Sequence, residues 1–324
     1  MATYSYGGCI EQAYKVNWKI KDVLGKVDFD LNRPWLPADL SGSSDIFCLN
    51  PEEKQKLTHV EMGAYVHLVG FLETFIAPLM VDLALDSDGS DSQAFEALAN
   101  FASEEVKHMH LFREVGRRID ARLGFPLQRA DGQNEVAQAV LSRSKGAVLL
   151  LTAAIEWFTQ QHYVSSMNPS DGLDPLTREV FRCHWMEEAQ HARLDHLEGL
   201  RLFKDMTVLE RGEAVEDFVW LLATLDGLLE RQSLLDGLNL ERHLGRTFTD
   251  RERTEILDSL LKAKRHCFIE SGLSHPNFLE LYLSVTTASQ QARVLGAVRL
   301  LLQRQPFQWT PPTEPSPRGR EHYL

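Results

Sequence analysis

One phrase occurs twice in this chain: a glutamate followed 32 residues later by Glu-x-x-His. Glu73, Glu105 and His108 form the first copy, and Glu156, Glu188 and His191 form the second. Each member of the second copy lies 83 residues after its counterpart (156−73, 188−105 and 191−108). A lone Glu-x-x-His is common, but three residue positions recurring at one offset are not. Glu and His three apart share one helix face. Four carboxylates and two imidazoles in this pattern make up the set that holds two iron or manganese ions inside a four-helix bundle. The repeat therefore predicts an all-α fold in which four long helices present ligands to one interior point.

The surroundings of the lone glutamates support burial. Glu73 lies in HLVGFLETFIAPLM and Glu156 in GAVLLLTAAIEWF, and each is the sole acid of its apolar stretch. An unpaired buried carboxylate is costly, so a cationic partner is required. Solvated helix-face charge, the ordinary fate of a glutamate, does not suit these stretches.

Caps and periodicity place the helices. Asn50-Pro51-Glu52-Glu53 reads as an N-cap, a first-turn proline and a capping acid, opening a helix from 51 to the mid-80s with a bend expected at Pro78. The second is expected over 92–123, closing at Gly124, and the third over 134–167. The fourth starts at Asp174-Pro175 and continues to about Lys204. Helices of roughly thirty residues are about 45 Å long, enough to hold a metal site near mid-height. Residues 1–50 read as an irregular arm and 51–305 as a single helical domain, with the bundle over 51–205 and accessory helices over 206–305. Those accessory helices number three, broken near 243–247 and 272–276. Residues 306–324 form a Pro-rich tail.

Composition narrows the function. A formal charge of −12 argues against a nucleic-acid partner. Cys9, Cys48, Cys183 and Cys267 show no close pairing, and the N-terminus lacks the basic-then-apolar pattern of a secretory signal, so a cytoplasmic setting is expected. The most apolar run, 146–158, is too short to span a bilayer, and no membrane association is expected.

Comparing the two halves exposes one asymmetry. His184 precedes Glu188 by four residues, whereas the equivalent position in the first half is Phe101 (184−83). On an ideal helix His184, Glu188 and His191 fall within about 60° of one another. His184 is thus expected as a seventh ligand, on the ion shared with Glu188 or His191, against the alternative of a satisfied core histidine. Glu104 and Glu187, each just before a Glu-x-x-His, are placed to reach the outer nitrogen of the opposite histidine or to face solvent. Asp195 is expected on the inner face in a similar supporting role or in a salt bridge. Tyr163 shares the face of Glu156, as a pocket wall, proton donor, radical site or core residue. His67, His110, His162 and His196 are out of phase and read as core or surface. Pocket walls are expected among Val69, Gly70, Phe101, Phe112, Leu149, Thr152, Thr159 and Gln160, where bundle packing is the alternative.

The series Glu73, Glu105-x-x-His108, Glu156, His184-x-x-x-Glu188-x-x-His191 resembles the p-aminobenzoate N-oxygenase family of ferritin-like non-haem diiron oxygenases, over about residues 60–200. The six-residue core is shared with the wider ferritin-like group; the added histidine is the narrower mark. The resemblance implies a ferritin-like four-helix bundle with additional C-terminal helices, two iron ions (with manganese–iron as the alternative) and O2 as co-substrate. It also implies an external electron donor, a homodimer and oxidation of an aryl amine through hydroxylamine towards nitroso or nitro product. A fatty-acyl desaturase or hydroxylase, a manganese–iron oxidase and a ferritin-type ferroxidase are the competing readings.

Overall fold

The computed structural model describes residues 4–25, 27–87 and 91–304. Among these the regular structure is entirely helical. Four helices carry the repeated phrase: α4 (Pro51–Asp86), α5 (Ser92–Leu123), α7 (Lys145–His162) and α8 (Pro175–Asp205). The Asn50 side chain accepts from the Glu53 N–H while Glu53 accepts from the Asn50 N–H, and Pro51 fills the first helical position, so α4 begins where the local chemistry requires. It then continues through Pro78 to Asp86. Asp91 caps α5, which stops at left-handed Gly124 (φ 80°), and Asp174 caps α8. The pairs α4–α5 and α7–α8 close on each other through α5–α8 and α4–α7, giving the expected four-helix bundle.

Three details differ from expectation. The third helix is interrupted: α6 (Gln133–Leu141) ends at Ser142, and α7 restarts after extended Ser144, whose N–H is held by Asp217. The N-terminal arm is not wholly irregular, since it carries α1 (Tyr6–Lys15), α2 (Ile20–Leu24) and α3 (Ala38–Ser41), with α1 packed on α5 and α8. After α8 the chain forms α9 (Val208–Leu244), α10 (Asp250–Arg265), α11 (Ser271–Ser274), α12 (Pro276–Val285) and α13 (Ala288–Gln303), so the accessory part has more breaks than the two expected. The additional one lies at Thr286–Thr287, where Thr287 and Gln290 form a capping box for α13. The Pro-rich tail lies outside the described residues.

α4 is the central element, buried on nearly every side. An 18-residue window within it has a mean hydropathy of 1.8, apolar enough to cross a membrane, but 67% of that window is buried among the other helices. α9 covers α4 and α7, and α10 packs on α9. This shell is tied to the bundle by a buried cation: Lys264 Nζ lies 2.6 Å from Glu61 on α4 and 2.9 Å from Asp236 on α9. Burial raises Glu61 to about 8 although Lys264 opposes the rise, and Asp236 adds to it. α11 lies backbone-to-backbone against α7: a Cβ on Gly272 would fall 2.3 Å from the Ala154 carbonyl oxygen.

Lys264→Met should lower unfolding stability by about 3–5 kcal/mol in denaturant titration, because two buried acids lose their cation. Glu61 carries a raised pKa only in the folded state, so its contribution is present at low pH and lost as pH rises through about 8. Denaturation midpoints of the native chain should fall across that window, and Glu61→Gln should flatten the fall.

Candidate metal centre

All seven expected ligands lie inside the bundle, each 2% exposed or less. Glu73 comes from α4, Glu105 and His108 from α5, Glu156 from α7, and His184, Glu188 and His191 from α8. Two overlapping four-residue groups have ligand atoms within 4.8 Å of one another: Glu73, His108, His184 and Glu188, and Glu105, His108, Glu188 and His191. Glu188 is common to both and touches all three histidines, His108 Nδ1 at 2.9 Å, His184 Nε2 at 2.8 Å and His191 Nδ1 at 3.2 Å. Glu156 reaches the cluster through a hydrogen bond with Glu188 and belongs to neither four-residue group. His184 also contacts Glu73 at 3.1 Å, so it joins Glu73 and Glu188 rather than His191.

The outer nitrogens settle which ring atoms face inward. His108 Nε2 lies 2.8 Å from Glu187, and His191 Nε2 lies 2.8 Å from Glu104. Each carboxylate crosses to the histidine of the opposite helix, as the repeat anticipates. Nδ1 of both rings therefore points at the cluster. The next layer breaks the symmetry. Lys107 pairs with Glu187, while the residue 83 positions later, Gln190, donates to Glu104 at 2.6 Å. Lys107 also sits 4.0 Å above the Trp18 ring, which stacks on His108 from the N-terminal arm. Lys107, Gln190 and Trp18 escaped the sequence reading, although the offset of 83 relates the first two.

Aromatic rings close the site. Phe101, standing where the repeat would put a second His184, stacks on His191 with centroids 3.7 Å apart, and Phe112 meets His184 edge-on at 4.9 Å. Gly70 faces Phe112, and Val69 and Leu149 are buried in the core. Thr152 and Thr159 bond back to their own helix, at Val148 and Glu156, and Gln160 to the Trp185 carbonyl. Tyr163 stacks on Trp185. Asp195 is fully buried, one turn beyond His191, and both of its oxygens lack a hydrogen-bond partner, so it is in no salt bridge.

Burial and mutual contact shift the titration of the whole cluster. Burial raises Glu156 well above the carboxylate range, with Glu188 adding to it, and raises Glu73 to about 8 despite His184. Burial disfavours charge on His108 and His191, yet Glu188 beside each keeps both well above the usual imidazole value. Burial would also raise Glu188, but His184 and His191 hold it well below. Glu73 Oε2, Glu105 Oε2 and Glu156 Oε2 are buried without a hydrogen-bond partner. Such atoms are expensive unless something cationic completes them. Two divalent ions would balance the four carboxylates, and an oxygen-rich set with imidazole and no thiolate suits iron or manganese. The residues fit a dimetal centre.

The family model described as p-aminobenzoate N-oxygenase AurF matches residues 12–232. Among solved structures, the chain is similar to an R2-like ligand-binding oxidase with aerobically reconstituted Mn/Fe cofactor, at 15% identity and TM-score 0.40, covering 81% of this chain and 92% of that one. A point variant of an R2-like ligand-binding oxidase, also with aerobically reconstituted Mn/Fe cofactor, shows 14% identity and TM-score 0.40 over 92% of each chain. The curated proteins contain no match.

Metal uptake must displace the protons on Glu73, Glu156, His108 and His191, so affinity should fall as pH is lowered, measurable by competition titration with a chelator. Ions bound only by the folded chain should stabilise it by about 2.7 kcal/mol at a hundredfold excess over Kd, read as a rise in Tm. Glu105→Ala and Glu188→Ala should each fail to hold two ions per chain by elemental analysis. Glu104→Gln and Glu187→Gln should weaken uptake by roughly 10–100-fold while retaining the fold.

Proposed function

Because the chain belongs to the p-aminobenzoate N-oxygenase AurF family, we propose that its O2-dependent dimetal chemistry is the N-oxygenation of a small aryl amine. The observation that carries this reading is the seven-residue cluster with His184 on only one side. Six ligands would make a symmetric centre; His184 adds an imidazole next to Glu73, where the other side has Phe101. In this reading Glu73, Glu105, Glu156, Glu188, His108, His184 and His191 hold two iron ions, with manganese–iron as the variant that metal analysis would distinguish. When bound, the pair supplies activation of O2.

The chain's own residues do the rest. Glu104 and Glu187 hold the outer nitrogens of His191 and His108, fixing the rings and keeping Nδ1 inward. Phe101, Phe112 and Phe181 surround the histidines and keep bulk water from them. A cleft of about 330 Å³ runs between α4 and α5, lined in part by His67, Gly70, Phe112, Arg113 and Arg129. Phe112 is shared by this cleft and the wall of His184, which makes the cleft the proposed approach for the amine. Electrons come from an external donor in this proposal, and a homodimer in the cytoplasm is its setting. The free Cys9, Cys48, Cys183 and Cys267 suit a reducing compartment.

Stopped-flow mixing of the reduced, iron-loaded protein with O2 should give an optical transient whose decay is accelerated by aryl amines, with hydroxylamine, nitroso or nitro product on chromatography. Acceleration by fatty acids alone, with the amines unchanged, would replace this reading with acyl oxidation. His184→Ala should shorten the transient's lifetime; an unchanged signature would remove His184 from the centre.

A further inference from the structure

Away from the ligands, a second buried polar group crosses the bundle wall. The Tyr65 hydroxyl lies 2.7 Å from His162 Nδ1, His162 Nε2 lies 3.0 Å from Ser271 Oγ, and Ser271 Oγ donates to the Cys267 carbonyl at 2.6 Å. Because the Ser271 proton is committed to a carbonyl, its oxygen must accept from His162 Nε2–H. Nδ1 is then the bare nitrogen and the Tyr65 O–H donates to it. The direction of every proton follows from that one carbonyl.

Two helix distortions meet at this chain of bonds. His162 is the last α-helical residue before a π-turn, Tyr163–Met167, and Ser271 is the first after another, His266–Glu270. Two such turns converging on one hydrogen bond are uncommon in a structural contact. Tyr65 and His162 are each 3% exposed, and burial pushes His162 down to about 3, so its ring is neutral and its lone pair is available. Tyr65 also has an aromatic route to the metal ligands: its ring is 5.3 Å from Phe181, and Phe181 is 6.4 Å from His184.

We propose that Tyr65 and His162 form a proton-coupled one-electron donor to the dimetal centre, with Phe181 and His184 between them. The proposal rests on the dimetal reading above. One electron would leave the Tyr65 phenol and pass through Phe181 and His184 to the centre, which, when loaded and oxidised by O2, would be the one-electron oxidant. The phenolic proton moves along the hydrogen bond to His162 Nδ1, leaving a neutral tyrosyl radical and an imidazolium. A one-electron reductant, the external donor of the proposed reaction, reverses both transfers. The burial that keeps His162 neutral also disfavours the imidazolium, so the pair relays an oxidising equivalent and does not store one. Such a relay would remove oxidising power from the centre when no amine is bound.

The test incorporates a fluorinated tyrosine at Tyr65 alone and reads electron paramagnetic resonance in two arms. In one, the iron-loaded reduced chain is mixed with O2 without amine and freeze-quenched. In the other, the same chain without O2 is flashed with a ruthenium polypyridyl photo-oxidant. A radical with fluorine hyperfine splitting is expected in both arms, formed more slowly in the labelled His162→Gln chain and in deuterated solvent, and unlabelled Tyr65→Phe should give no tyrosyl radical in the O2 arm. Absence of the splitting from both arms overturns the proposal, and a split radical under light but not with O2 overturns its link to the centre. Failure of the dimetal reading shows separately, as no bound iron in a chain that still gives the split radical under light.

Discussion

Four carboxylates concentrated in the middle of a helical bundle are the constraint to which the rest of this structure answers. Their mutual repulsion and desolvation cannot be relieved by water, because each is buried, so the compensation has to be built in. Three imidazoles and crossed carboxylate–histidine bonds do this in the chain itself, and two divalent ions would do it more completely. Every helix of the bundle contributes a member of the cluster, so the cluster and the packing are one design. The centre cannot assemble unless all four helices meet, and the meeting is unfavourable unless the centre's charge is compensated.

The accessory helices and the N-terminal arm extend this logic outward. Trp18 from the arm covers Lys107 and His108, while α9 and α10 lock onto α4 through Lys264, Glu61 and Asp236. The first attachment is a cation–π and ring-stacking contact and the second a buried ion-pair triad. The shell thereby holds α4 and α5 in the positions that the ligands need. Near-continuous burial of residues 57–80 of α4 explains why so apolar a stretch belongs in a globular core.

What could be read beforehand followed from local periodicity and from the repeat. Glu73, Glu105, His108, Glu156, Glu188 and His191 announced themselves by a constant offset, His184 by its phase, and Glu104 and Glu187 by adjacency. The interruption at Ser142–Ser144 was hidden because the stretches either side are both good helix, and the break depends on Asp217 of α9. Trp18 lies in a segment with no period, so nothing local ties it to His108. His162 appeared out of phase because only its neighbours in space, Tyr65 and Ser271, give it a role. Those contacts join positions about a hundred residues apart, and no local pattern encodes them.

The π-turn at His266–Glu270 carries a consequence for how relatives of this chain should be compared. Such a turn is an α-helix with one residue inserted, and the insertion changes the rotational phase of everything beyond it. Here it allows Lys264 to face α4 and α9 while Ser271 faces His162 on α7. A relative with a single-residue deletion at this point would form a continuous α-helix and keep its Ser271 counterpart facing α7, whereas a relative of equal length that lost the π-turn would rotate that residue by about 100°. One gap in an alignment at this point is therefore compatible with a retained Ser271–His162 bond, while a relative of equal length without the π-turn would have lost it even where the metal cluster is shared.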